Sequence, residues 1–293
     1  MTSDVIWPKI SLVTPVFNSA KYIEQTIESV LAQRYPNLEY FIVDGGSTDG
    51  SLDIIRKYES QLSGWISEPD KGMYDALNKG FARTTGEIMG WISATDMLHA
   101  MGLFVVGSVF RDMPHEVEWI TGRPTVFNEE GMTTIVLDVP HWSRFRFLAG
   151  ANRYIQQEST FWRRSLWEKA GGHVDPSCRN GGDFELWVRF FHHAKLYPVD
   201  GLIGGYRVHL DALSIADSDD YQRAYDGFIE AELAAIPWGR SLRTFRRIST
   251  KMESIPKVRW FWKRLVMNSL YRMAGPDWVR IIKYQDDRWK FWR

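Results

Sequence analysis

The chain has 293 residues, 44% of them hydrophobic and 25% charged, and a formal net charge of zero. This is the composition of an ordinary globular protein, long enough to bury a substantial core. A single cysteine, Cys178, excludes an intramolecular disulfide, and no apolar run reaches the roughly 20 residues of a spanning helix.

The N-terminal decapeptide MTSDVIWPKI lacks a long apolar stretch, so no secretory signal is expected and a cytoplasmic location is. The neutral total conceals an asymmetry. Residues 240–293 hold 15 Lys/Arg against 4 Asp/Glu, and 10 aromatics of which five are Trp. An acidic body with a basic, aromatic tail suggests two tasks in one chain.

In chain order, Lys9–Thr14 reads as a buried strand interrupted by Pro15. Ala20–Gln33 is helical, with Ile23, Ile27, Val30 and Leu31 at helical spacing. Leu38–Val43 is a second strand, ending in Asp44-Gly45-Gly46, and Leu52–Leu62 a second helix. Gly64–Ser67 is a short strand, followed by the Asp70-Lys71-Gly72 loop and a helix over Met73–Thr84. Glu87–Ser93 is a fourth strand, closing on Thr95-Asp96. Repeated β-α-β units imply a mostly parallel sheet with helices on both faces. Ligands in such sheets sit at the carboxyl ends of strands, where each unusual polar motif lies.

The second half is less regular. Glu118–Phe127 and Met132–Leu137 flank Asn128–Gly131 as a hairpin. Ser159–Trp162 is a strand, and Arg164–Ala170 a helix stopped by Gly171-Gly172. Asp183–Ala194 is an aromatic-rich helix, Ile203–Val208 a last strand ending at His209, and Tyr221–Ala235 a helix. Pro237 and Gly239 mark a boundary. The expected organisation is a domain over 1–239, with a nucleotide-sugar half (1–113) and an acceptor half (114–239), then a helical extension over 240–293.

Several carboxylates admit both a chemical and a structural reading. Asp44 can accept a hydrogen bond from a pyrimidine N–H, or cap the following turn. Asp70-Lys71 can meet a phosphate, or form a solvated turn. Asp96 offers a hard oxygen to Mg²⁺ or Mn²⁺, or caps a helix. Asp183 can act as a general base, or cap its own helix. His209 can join a cation or phosphate site, or be structural.

Together these motifs resemble the family 2 glycosyltransferases over roughly residues 8–215. The matching strings include Ser11–Asn18, Asp44–Gly50, Trp65–Gly80, Gly90–Asp96, Gln157–Trp162, Gly182–Arg189 and Tyr206–His209. The resemblance implies a GT-A fold, a nucleotide-diphosphate sugar donor (commonly UDP-linked), a divalent cation (Mn²⁺ or Mg²⁺) and inversion at the anomeric carbon. Carried over by position, Thr14, Pro15 and Asn18 line the nucleotide pocket and Asp44 meets the base. Asp70 and Lys71 lie near the nucleotide and diphosphate. Asp96 binds the cation, His209 joins that site, and Asp183 is the catalytic base.

Two positions depart from the family pattern. Thr95 stands where a carboxylate is usual, which implies a ribose hydroxyl contact and weaker metal dependence. Gly182 stands where the first acid of an acidic pair is usual. The acceptor implied is a glycan or lipid-linked glycan. The basic, aromatic tail then points to contact with an anionic membrane surface on the inner face of the cell membrane. Packing of the tail on the body is the bland alternative, and no nucleic-acid partner is expected. Two other functions stay open: a catalytically weak nucleotide-sugar-binding protein, motivated by Thr95, and a membrane-tethered scaffold.

Overall fold

The computed structural model describes residues 5–150, 154–209, 218–262, 264 and 279–292. The first half alternates β1 (Ile10–Val16), α1 (Ile23–Leu31), β2 (Leu38–Asp44), α2 (Ser51–Tyr58), β3 (Gly64–Ser67), α3 (Met73–Phe81) and β4 (Ile88–Trp91). After β5 (Met97–Leu98) and α4 (Gly102–Asp112) come β6 (Trp119–Thr121), β7 (Thr125–Phe127), β8 (Thr133–Val136) and α5 (Arg144–Leu148). Then follow β9 (Thr160–Arg163), α6 (Arg164–Lys169), α7 (Gly182–His193), β10 (Leu196–Pro198) and β11 (Gly204–Arg207). The chain closes with α8 (Ser218–Ala235), α9 (Gly239–Glu253), β12 (Ile282–Gln285) and β13 (Arg288–Phe291).

A seven-stranded sheet runs in the order β10-β6-β9-β4-β1-β2-β3. Strand β1 is buried along its whole length because it pairs in parallel with β2 on one side and β4 on the other. Its continuous apolar run is what a strand covered on both faces requires. Successive residues go to opposite faces: Val13, Phe41, Val43 and Met89 join one core, and Leu12, Tyr40, Ile42 and Ile88 the other. A second sheet, β5-β11-β7-β8, lies beside the carboxyl end of β4.

The central sheet is mostly parallel, as expected, with β9 alone running antiparallel, to both β4 and β6. Two expectations need correction. The segment expected as one strand, Glu118–Phe127, divides at Gly122: β6 joins the central sheet and β7 the second, where it forms the anticipated hairpin with β8. The extension is not wholly helical. Residues 282–291 form the antiparallel β12–β13 hairpin, which packs on the body with Ile282 and Trp289 buried. The Trp289 indole donates to Ser108 Oγ on α4 at 2.7 Å. Polar residues between these apolar ones alternate with period two, a strand signal that the overall basic, aromatic composition of the tail obscured. Helix α9 turns back from α8 at Gly239 and buries Leu242 in the same core as α7. Trp278 lies outside the described residues.

Candidate active site

The first wall of the site is made by the loops after β1, β2 and β3. Asn18 occupies the left-handed region (φ 47°), which asparagine tolerates better than most residues. Its Oδ1 accepts from Thr48 N at 2.9 Å, while Asn18 N donates to Ser47 Oγ at 2.8 Å, so the first two loops are joined. The third loop closes on the second: a β-carbon on Gly45 would lie 2.5 Å from Asp70 Oδ2. Asp70 Oδ1 accepts from Gly72 N at 2.8 Å, and Lys71 is exposed beside it. The close approach that Gly45 permits is therefore filled by a carboxylate of the chain itself.

Asp44 is fully buried at the end of β2. Its carboxylate accepts from Gly46 N, Ser47 N, Ser47 Oγ and Ser67 Oγ, the last at 2.6 Å. Four donors account for its burial, which is the loop-shaping role. Thr14 is fully buried in β1, and its hydroxyl is shared with the Tyr40 hydroxyl at 3.0 Å. Pro15 is likewise buried in register with Val43.

The acidic side of the site sits between β4 and β11. After β4 the chain turns through Thr95, which is half-buried, to Asp96, which is 2% exposed. Helix α1 holds this turn, because Thr26 Oγ1 donates to the carbonyls of Ala94 (2.9 Å) and Asp96 (2.7 Å). Asp96 Oδ1 accepts from Arg207 N at 2.8 Å. The Arg207 side chain is fully buried, donates to Gln25 Oε1 at 2.7 Å and stacks on the Tyr22 ring at 5.2 Å. His209, two residues on, lies against the same Tyr22 ring at 4.8 Å. The fold thus brings Asp96 and the end of β11 together. Among the described residues, however, no group of three His, Cys, Asp or Glu is close enough to hold a metal ion.

Beside Asp96 is a carboxyl group that the motif reading did not single out. Glu158, 8% exposed, stands in the turn before β9. Burial, and then the Asp96 charge, push its proton affinity well above the usual range, so the proton of the pair sits on Glu158. Burial raises Asp96 too, opposed by the Arg207 backbone N–H and charge. Glu158 also senses the charge of Asp183.

Asp183 is in the first turn of α7, where the helix dipole favours a carboxylate. It is 7% exposed, and burial lifts its pKa to about 6 against the pull of the Tyr221 hydroxyl, which donates to Oδ2 at 3.1 Å. Oδ1 has no hydrogen-bond partner among the described residues. The preceding Gly182 is explained by packing: a β-carbon there would meet the Tyr74 ring at 2.8 Å. Asn78, one turn along α3 from Tyr74, supports the floor by exchanging hydrogen bonds with the backbone of Val174.

A tryptophan stack ties the two acidic centres together. Trp91, last residue of β4, stacks on Trp187 of α7 with centroids 5.7 Å apart and planes 9° from parallel. Trp162 and Trp119 close the cluster. Asp183 and Trp187 are one turn apart on α7, so the helix bearing Asp183 is anchored on the strand that leads to Asp96.

The sequence model described as Glycosyl transferase family 2 matches residues 11–101, the segment from β1 to the turn before α4. Over that segment the chain carries the sequence pattern of the family 2 glycosyltransferases. It is 30% identical over 169 residues to an uncharacterized glycosyltransferase of Mycobacterium tuberculosis, an alignment covering 57% of this chain and 63% of the relative. It is 37% identical over 129 residues to an uncharacterized glycosyltransferase of a Nostoc species, covering 41% of this chain and 40% of that one. The chain therefore spans less than two thirds of the length of these relatives.

Among solved structures the fold is similar to that of S. aureus TarS 1–349 in complex with UDP-GlcNAc, with a TM-score of 0.63 at 14% identity, covering 97% of this chain and 96% of that one. It is also similar to the mannosyltransferase PcManGT of Pyrobaculum calidifontis in complex with GDP-Man and Mn²⁺, with a TM-score of 0.56 at 17% identity, covering 92% of this chain and 81% of that one. The shared architecture is the GT-A fold.

The family's usual cation fits the residues present here. Asp96 offers a carboxylate, and Glu158 Oε2 beside it is buried without a hydrogen-bond partner among the described residues. Hard anionic oxygens of this kind suit Mg²⁺ or Mn²⁺, which complete their shells with phosphate and water. Besides Glu158, the motif reading missed Tyr221 and the buried Arg207 side chain. Arg207 stood next to the strand end already singled out at His209. Tyr221 lies on a helix with no motif, and only the tertiary fold lays it against Asp183.

Proposed function

We propose that this protein is an inverting glycosyltransferase that moves a sugar from a nucleotide-diphosphate donor, a UDP-sugar, to a hydroxyl of a glycan or lipid-linked glycan. The observation that carries this reading is Asp183. It is a buried carboxylate with one unengaged oxygen, near enough to the Asp96–Glu158 pair for its charge to act on Glu158. In the proposed reaction Asp183 takes the proton of the acceptor hydroxyl as that oxygen attacks the anomeric carbon. The bond to the donor diphosphate breaks on the opposite face, its electrons leaving with the diphosphate, so an α-linked donor yields a β-linked product. A divalent cation bound at Asp96 would neutralise charge on the departing diphosphate. Asp70, Lys71 and Asn18 stand on the loops proposed to hold the nucleotide, with Asp44 beneath them and Thr95 offering its hydroxyl to the ribose.

Incubating the protein with UDP-sugars and Mn²⁺ is expected to release UDP, and Asp96→Ala and Asp183→Ala are each expected to abolish that release. Binding of UDP-sugar without any turnover would instead establish the weak binding protein that Thr95 suggests.

The tail supports a second element of the proposal, peripheral contact with an anionic membrane surface. Among the described residues no helix is long and apolar enough to cross a membrane. Residues 247–264 nevertheless expose Ile248, Ile255, Trp260 (69%) and Phe261 among Arg247, Lys251, Lys257, Arg259 and Arg264. Aromatic side chains among cations are suited to the headgroup boundary of an anionic bilayer. The full-length protein is expected to float with vesicles containing anionic lipid, and the Trp260→Ser/Phe261→Ser double variant to lose most of that association. Equal flotation of the two would remove this surface from the proposal. Point substitutions are the suitable test, because truncation at 240 would strip the buried Ile282 and Trp289 from the body.

A further inference from the structure

We propose that Glu158 supplies the carboxylate that Thr95 lacks, completing a two-carboxylate cation site with Asp96 from a distant part of the chain. The inference rests on the glycosyltransferase reading above and extends it to a residue outside the strand-end motif.

Three observations support it. First, Glu158 is nine-tenths buried, and its Oε2 finds no hydrogen-bond donor among the described residues. A buried carboxyl oxygen without a donor is costly, and such atoms persist where something else satisfies them. Second, its neighbour is Asp96, the one carboxylate at the end of β4. Side by side, the two offer the hard anionic oxygens that Mg²⁺ or Mn²⁺ prefers.

Third, the turn bearing Glu158 is fixed on both sides by the strands that form the site. Gln157 Nε2 donates to the Trp91 carbonyl at the end of β4. On the other side the Glu158 carbonyl is pressed against β11, where a β-carbon on Gly204 would lie 2.2 Å from it. Ser159 Oγ and Thr160 Oγ1 both donate to the Gln156 carbonyl, at 3.1 and 2.8 Å, which tightens the turn. Rigid backbone on two sides is the support that a metal ligand needs.

Thr95, by contrast, is half-buried and offers only a hydroxyl. A carboxylate reaching the cation from the turn before β9 would leave that hydroxyl free for the donor ribose. The charge at the cation site is then conserved although its position in the sequence is not.

The test measures Mn²⁺ binding rather than turnover, by electron paramagnetic resonance titration of the full-length protein with UDP present. Glu158→Gln preserves shape and the neutral hydrogen-bonding character of the protonated side chain, and a metal-free thermal melt checks its fold. The variant is expected to bind Mn²⁺ about 10-fold or more weakly than the wild type. Thr95→Asp is expected to tighten binding and, in the Thr95→Asp/Glu158→Gln double variant, to restore affinity to near the wild-type value. A merely structural Glu158 would not be rescued in this way.

Wild-type affinity in a folded Glu158→Gln protein, with binding lost in Asp96→Asn, would overturn the role of Glu158 alone. The same conclusion would follow if the double variant bound no better than Glu158→Gln. Failure of the wild type to bind Mn²⁺ at all would overturn the cation reading of the site together with this proposal. If Glu158→Gln did not fold, Thr95→Asp alone would decide: unchanged Mn²⁺ affinity would count against a site that lacks a carboxylate at position 95.

Discussion

Replacing Asp183 by Asn is expected to slow sugar transfer roughly 10²–10⁴-fold, the contribution typical of a positioned general base. The same change is expected to stabilise the protein at neutral pH. The two effects have one cause. Burial lifts the Asp183 carboxyl to about 6, opposed only in part by the Tyr221 hydroxyl. A base must be ionised to accept a proton, so wild-type activity is expected to fall as pH drops through about 6.

The stability effect has a definite sign. The folded state holds the proton more tightly than the unfolded chain, whose carboxyl ionises near the ordinary value of 3.8. The stabilising contribution of the protonated group is complete below pH 3.8 and is lost as pH rises towards about 6. Ionising the buried group thus costs the folded protein up to about 3 kcal/mol above that window. Asn carries no such charge, so Asp183→Asn should raise the melting temperature at pH 7.5 and change it little at pH 4. An equal gain at both pH values would mean that charge burial is not the cause. An unchanged transfer rate would remove Asp183 from the chemistry.

The largest stability loss is expected at Trp187. It is fully buried against Trp91, Trp119, Trp162 and Phe190. The indole N–H groups of all four tryptophans lack an acceptor among the described residues, so packing and dispersion outweigh that cost. Trp187→Ala is expected to destabilise by about 3–5 kcal/mol, as for other large aromatic-to-alanine changes in cores. Chemical denaturation measures this directly. Trp187→Phe fills more of the space and should cost less.

The functional consequence should exceed that of an equally destabilising change elsewhere. Trp187 links the helix that carries Asp183 to the strand that ends beside Asp96. At a temperature where Trp187→Phe remains folded, transfer is therefore expected to be impaired. Activity equal to wild type there would mean that the stack supports the fold without positioning the site.

Much of the first half was legible because its signals are local. Buried parallel strands read as apolar runs, their helices as 3.6-residue patterns, and the polar turns between them as motifs. Residues 10–91 accordingly fold close to expectation, apart from strand and helix ends. The second half was harder. Strands β6, β7 and β10 are three residues each, too short for a periodic pattern to declare itself, and β6 and β7 enter different sheets across the three-residue link Gly122-Arg123-Pro124. Helix α4 passed unnoticed because apolar residues surround it on most sides, which leaves no contrasting polar stripe.

For the site, the division follows from what a sequence can encode locally. The sequence alone determined the family resemblance, the strand-end positions of Asp44, Asp70 and Asp96, the threonine at position 95, and the acid Asp183 at a helix start. All of these depend on neighbours within a few residues. Only the tertiary structure decided which polar groups are already engaged: Asp44 is held by four donors and Thr14 by Tyr40. It also decided that Tyr74 occupies the space at Gly182, that Tyr221 lies on Asp183, and that Glu158, sixty-two residues from Asp96 along the chain, lies beside it. Burial and charge coupling depend on what the fold brings alongside a group, and that information is spread over the whole chain rather than held in any one motif.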